Sequence, residues 1–268
     1  MNELSRTCIR SLLISATTLI AAQFQLFSIA QSEDPEPTHV VDMELISFRM
    51  SAYTIETKEK DSKSHRVGLT HMNELADSGY GRALIYLGDI YSAGIFVDGD
   101  NSTARLYYRR AAESEDPYAL FAIGKKYQLG DFFEKDLMIA AEFYRSASLL
   151  GYTDAQFTLG LMYERGEGVP KNYKRAFDLI RASASEGQPF HMWTVSRYYR
   201  DGVGTEKSLI DSYKWALLSA AVGSDDSSLK SIISGSVEDL ESILSSEEEA
   251  VGQDLASECF ASYLLDCK

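Results

Sequence analysis

Apolar positions along the chain fall at helical rather than strand spacing, and the stripes they form recur. Ala119, Ile123, Gly124 and Tyr127 make one apolar helix face, with small residues where a second helix must come close. The face returns every 36 residues, through Ala83, Ala119 and Ala155, through Gly88, Gly124, Gly160 and Ser196, and through Tyr91, Tyr127, Tyr163 and Tyr199. Gly94, Gly130, Gly166 and Gly202 end this first helix of each copy, suited to the left-handed position that ends a helix because glycine has no Cβ to clash there. A second helix follows in each copy. Asp100, Asp136, Asn172 and Ser208 stand at its start, each able to accept a backbone N–H of the first turn. It stops at Gly151, Gly187 or Gly223, and Asp116-Pro117 is a cap followed by proline at the first helical position. No alternating β pattern competes in this region.

One helical pair of this size cannot bury its apolar face alone, so neighbouring pairs must stack, and about three repeats are the minimum. Four copies, at 80–115, 116–151, 152–187 and 188–223, predict an all-α fold. The expected architecture is a right-handed α-solenoid of stacked antiparallel helix pairs. Residues 62–79, with Val67, Leu69, Met72 and Leu75, read as an N-terminal capping helix. Residues 224–268 read as a helical C-terminal cap, with one helix around Leu229, Ile232 and Ile233 and another from Ser245-Ser246-Glu247-Glu248 through Leu264. Residues 31–61 are expected to be acidic and irregular.

The first thirty residues stand apart. Arg6 and Arg10 precede an apolar stretch from Ser11 to Ala22, and Ser28 and Ala30 place small residues where a signal peptidase inspects the chain. The apolar run is shorter than the roughly 18 residues a membrane span requires. A cleaved export signal is expected, with the mature protein periplasmic or secreted and without a stable membrane span. The alternative is a retained anchor.

The runs AxxxLGxxYxxG at 155–166 and, with Ile123 in the Leu place, at 119–130 resemble the Sel-one-like repeat family. The loop Gly166-Glu167-Gly168-Val169 and the string from Ala104 through Tyr107-Tyr108 to Ala111-Ala112 are similar to that family too. It is the 36-residue relative of the tetratricopeptide repeat. Trp215 and the acidic stretch after Ser245 resemble the terminal repeat and cap of bacterial members. The chain departs from the pattern at Ser196 in a glycine place, at His191 in the first Ala place, and at Ile95-Phe96-Val97, where the first loop lacks its Gly-x-Gly.

Composition narrows the function. At 45% apolar, the chain can build a core and is not a disordered sequence. With 40 acidic against 26 basic side chains, a formal charge of −14 excludes a nucleic-acid surface, whose affinity comes from Lys and Arg. Three cysteines cannot make a disulfide scaffold. Cys8 falls in the leader, leaving Cys259 and Cys267. On one helix they would be about 12 Å apart, too far for a bridge that needs Cα atoms within about 7 Å. A Cys259–Cys267 disulfide is expected, with the helix ending near Leu264 and the tail folding back; the alternative is two free thiols.

No catalytic chemistry stands out. His39, His65, His71 and His191 are isolated, without metal-ligand spacing. Serine-hydrolase strings are missing. The loops at Gly166 and Gly202 join helix to helix and lack the Lys-Ser/Thr of a P-loop. No enzyme, metal or cofactor is expected.

Solenoids generally work through extended concave surfaces. Resemblance to tetratricopeptide-type repeats implies that the first helix of each pair lines the inner face. Its positions form ladders: Arg82, Tyr118, Asp154, Phe190; Ile85, Phe121, Phe157, Trp193; Asp89, Lys125, Leu161, Arg197. The expected partner-binding residues are Tyr118, Phe121, Lys125, Phe157, Phe190, Trp193, Arg197 and Arg200. The alternative for the apolar ladder is core. The function this supports is an exported, non-catalytic scaffold that binds a protein or peptide. A cell-envelope polysaccharide or peptidoglycan partner is the second reading. A β-lactamase-like hydrolase is the third, although such relatives carry paired cysteines in their repeats and this chain has none there.

Overall fold

In a computed structural model, residues 43–58, 60 and 62–261 are described. The four repeats are eight helices: α3 (Gly81–Ala93) with α4 (Asn101–Glu113), α5 (Pro117–Leu129) with α6 (Leu137–Leu149), α7 (Thr153–Arg165) with α8 (Tyr173–Ser183), and α9 (Pro189–Asp201) with α10 (Leu209–Val222). Two helices precede them, α1 (Met43–Thr57) and α2 (Lys63–Asp77), and two follow, α11 (Ser227–Glu241) and α12 (Ser246–Ala261). No strand occurs among the described residues. Each pair packs internally and then against the next, and α10 also carries α11 and α12. The protein is an α-solenoid.

The helix boundaries follow from the caps. Asp100, Asp136, Asn172 and Ser208 each accept a first-turn backbone N–H, at 2.8 to 3.1 Å. Their own N–H groups donate to the carbonyls of Tyr91, Tyr127, Tyr163 and Tyr199, at 2.9 to 3.0 Å. This repeated bond closes every loop within a pair over the same span. The loops also share an odd backbone shape. Gly168 and Gly204 have φ of +70°, and so do their counterparts Phe96 and Phe132, where the sequence lacks glycine. A left-handed residue with a side chain is normally disfavoured by about 1–2 kcal/mol. At Phe132 the ring lies edge-on to Tyr108, 4.7 Å between centroids, and that packing holds the conformation.

The pairs interlock through size complementarity. A Cβ on Gly88 would lie 2.4 Å from the Tyr108 ring, on Gly124 2.9 Å from Tyr144, and on Gly160 2.7 Å from Ile180. In the fourth pair the first helix has Ser196, and the position matching 108, 144 and 180 is Ala216. The larger residue on one helix thus corresponds to a smaller one on the other. The Ser196 hydroxyl then donates to the Ser212 carbonyl at 2.7 Å, so a buried polar group is satisfied. Between the first two repeats Lys126 reaches Asp89 at 2.7 Å and Asp131 at 3.0 Å. Lys125 is exposed.

Within the segment 31–61, expected to be irregular, Met43–Thr57 instead form α1, and residues 31–42 lie outside the described residues. Phe48 and Ala52 pack against the N-terminal core and Ile55 is fully buried in it, at helical spacing. Phe48 meets Tyr86 edge-on at 5.8 Å, and Gly68 of α2 admits the α1 backbone. Exposed Met50 and Tyr53 on the opposite face blur that stripe in the sequence. The expected signal segment, residues 1–30, lies outside the described residues. So do Cys267 and the expected helix end at Leu264. Cys259 is buried on α12 and disulfide-bonded, but its expected pairing with Cys267 likewise falls outside them.

Candidate functional site

The third and fourth repeats leave a groove of about 420 Å³ between α7 and α9. Helix α7 supplies Phe157, Leu161, Glu164 and Arg165 to it, and α9 supplies Phe190, Trp193, Thr194 and Arg197. Lys171 and Tyr173, from the loop into α8 and its first residue, complete the lining. The offsets 190, 193, 194 and 197 put four α9 side chains on one face, as helical periodicity requires.

The floor is aromatic and graded in exposure. Phe157 is 8% exposed and stacks on buried His191, centroids 4.1 Å apart. Phe190 packs edge-on to Phe157 at 5.5 Å, stacks on Trp193 at 5.7 Å, and remains 45% exposed. Trp193 is anchored at its far end, where Nε1 donates to Ser236 Oγ of α11 at 2.9 Å. The Arg197 guanidinium lies 5.7 Å from the Trp193 ring centroid and 3.7 Å from the Glu164 carboxylate. Burial, reinforced by Glu164, pushes the Tyr198 hydroxyl pKa up. Burial also holds the His191 pKa below the ordinary histidine value, and its Nδ1 contacts the Ser183 carbonyl at 3.2 Å.

Of the eight expected binding residues, the groove gathers Phe157, Phe190, Trp193 and Arg197. Tyr118 lies elsewhere, under the Arg82 guanidinium at 4.2 Å. Phe121 is wedged between Tyr144 and Tyr152, at 5.4 and 5.1 Å. Arg200 pairs with its neighbour Asp201 at 2.9 Å and is not part of the groove lining. The Ile85/Phe121/Phe157/Trp193 ladder is divided: Ile85 and Phe157 are core, while Phe121 and Trp193 are half-buried. Lys171 and Tyr173 were missed because the sequence reading confined the inner surface to first helices. A basic and an aromatic residue flanking the Asn172 cap were the available signal.

Among the described residues, no group of three or more His, Cys, Asp or Glu side chains is placed to hold a metal ion. No helix among them is long and apolar enough to cross a membrane. The arrangement can bury an apolar side chain against rings and offer cations at the rim.

Comparison with known proteins bears on the fold. The Sel1 repeat model matches residues 81–116, 117–152, 153–188 and 192–224. No curated protein matches the chain significantly. Among solved structures, the chain is similar to c5321, described as a protective antigen of uropathogenic Escherichia coli strains displaying an SLR fold. That match has a TM-score of 0.64 and 21% identity, over 84% of this chain and 47% of that one. A Sel1 repeat protein from Oxalobacter formigenes matches with a TM-score of 0.54 and 23% identity, over 82% of this chain and 62% of that one. The chain thus spans less than two thirds of either protein.

Proposed function

The chain belongs to the Sel1 repeat family, and from that premise we propose that it is a non-catalytic scaffold holding a protein or peptide segment in the groove between α7 and α9. Sel1 repeat solenoids generally serve protein interaction. The observation that carries this reading is Phe190. It remains nearly half exposed beside a fixed Trp193 and Arg197, and Trp and Arg are the residue types that dominate binding hot spots. An exposed ring on a pre-built aromatic floor gains from burial by a partner without reorganising the solenoid. Export is part of the proposal, supported by Arg6, Arg10, the apolar stretch 11–22 and the Ser28-Ile29-Ala30 sequence.

The test is capture from a cell-envelope extract by the wild-type chain and by Phe190→Ala/Arg197→Ala, each with and without muramidase. Trp193 is left intact because its bond to Ser236 ties α9 to α11. The expected result is a muramidase-resistant partner that the double variant loses at unchanged melting temperature. Capture that survives the double change would place the site elsewhere. Capture that muramidase abolishes would make the partner a sugar polymer.

A further inference from the structure

We infer that the groove selects an acidic peptide segment built around one bulky apolar side chain, an inference that rests on the groove being the binding site. Its lining carries three cations, Arg165, Lys171 and Arg197, against the single carboxylate of Glu164, on a chain whose formal charge is −14. None of the three is tightly paired. Arg165 comes no closer than 3.9 Å to Glu167, and Arg197 no closer than 3.7 Å to Glu164. Lys171 lies 4.8 Å from the Tyr173 ring centroid and has no ion pair within 4.0 Å among the described residues. Two repeats earlier, Lys126 shows what a committed cation looks like here, clamped at 2.7 and 3.0 Å between two aspartates. Incoming carboxylates would turn the long contacts at the groove into short charge-assisted hydrogen bonds, which are about twice as strong as neutral ones.

The apolar part sets the rest of the specificity. A volume of about 420 Å³ suits one large side chain with adjacent backbone, not a folded domain. The chain already docks an aromatic residue at the matching register of its first repeat. There Phe48 of α1 meets Tyr86, the residue equivalent to Thr194 of the groove. A basic segment would meet three like charges, and a neutral sugar polymer would leave the cations unused. A long polyanion such as single-stranded DNA would be repelled by the rest of the acidic chain.

The experiment uses the full chain and fluorescein-labelled decapeptides followed by anisotropy. One is acidic with a central phenylalanine, one acidic with glycine at that place, and one basic with phenylalanine. The acidic phenylalanine peptide is expected to bind at least about tenfold more tightly than either control, and to weaken as salt rises. Arg165→Glu/Lys171→Glu, both at exposed positions, is expected to cost that peptide about tenfold at unchanged melting temperature. If the basic peptide binds equally well, or the charge reversal is silent, while Phe190→Ala still weakens binding, the acidic preference is overturned and the groove stands. If Phe190→Ala and the charge reversal are both silent, the groove reading fails with it. No binding by the acidic phenylalanine peptide, or equal binding by an oligonucleotide of similar charge, also overturns the inference.

Discussion

Gly88→Ala tests the interlock that sets the spacing within each pair. The new methyl carbon would stand 2.4, 2.6 and 2.9 Å from three atoms of the Tyr108 ring, where carbon atoms normally rest about 3.5–4.0 Å apart. The ring has nowhere to go. Its hydroxyl donates to Asp89 at 2.7 Å, its edges pack on Phe132 and Phe133, and the Lys126 ammonium sits 4.7 Å from its centroid. Overpacking costs about 1–3 kcal/mol, and three simultaneous contacts put this change near the upper end. Helix propensity favours alanine over glycine by about 1 kcal/mol, leaving a net loss of about 1–2 kcal/mol. In a Tyr108→Leu background the rigid ring is gone and leucine can rotate away, so the same substitution is expected to stabilise by up to about 1 kcal/mol. Urea unfolding of all four proteins, followed by circular dichroism, gives the double-mutant cycle. A coupling of about 2 kcal/mol is expected, and additivity within about 0.5 kcal/mol would refute the interlock.

Other outcomes follow from the same packing. Gly124→Leu is expected to cost more than about 3 kcal/mol through overpacking, and Ser196→Ala only about 1 kcal/mol, the worth of its hydrogen bond to Ser212; equal losses in denaturant midpoint would mean the repeat register is wrong. Gly204→Ala should cost about 3 kcal/mol, because φ is +70° and the added carbon would sit 1.9 Å from the Tyr173 carbonyl oxygen, and an unchanged melting temperature would contradict this. Burial depresses the folded pKa of His191, so the unfolded chain binds more protons between the folded value and about 6.5. Stability is therefore full above about pH 6.5 and falls as the pH drops through that window, a loss that His191→Gln should remove in melting curves. For exported protein, N-terminal sequencing is expected to begin after Ala30, and denatured material to show no free thiol; a start at Met1 sinks the cleavage, and two thiols per chain sink the Cys259–Cys267 bridge.

The sequence by itself determined the repeat. A period of 36, the caps at 100, 136, 172 and 208 and the closing glycines are local signals, because helix starts, stops and faces depend on residues a turn apart. The same locality explains what it missed. Helix α1 is held by Phe48, Ala52 and Ile55 against a core supplied by later helices, and its exposed Met50 and Tyr53 hide the stripe. Phe96 and Phe132 keep the loop shape of glycine because surrounding packing, not local preference, decides their backbone. Ser196 takes a glycine place with its hydroxyl satisfied by the Ser212 carbonyl, sixteen residues away. The groove shows the division most plainly. Periodicity put Phe190, Trp193 and Arg197 on one face of α9, but joining them to Phe157, Arg165 and Lys171 required the turn of one repeat onto the next. Arg200, three residues beyond Arg197, pairs with Asp201 outside the groove. A helix period tells which side chains share a face; only the stacking of repeats decides what that face meets.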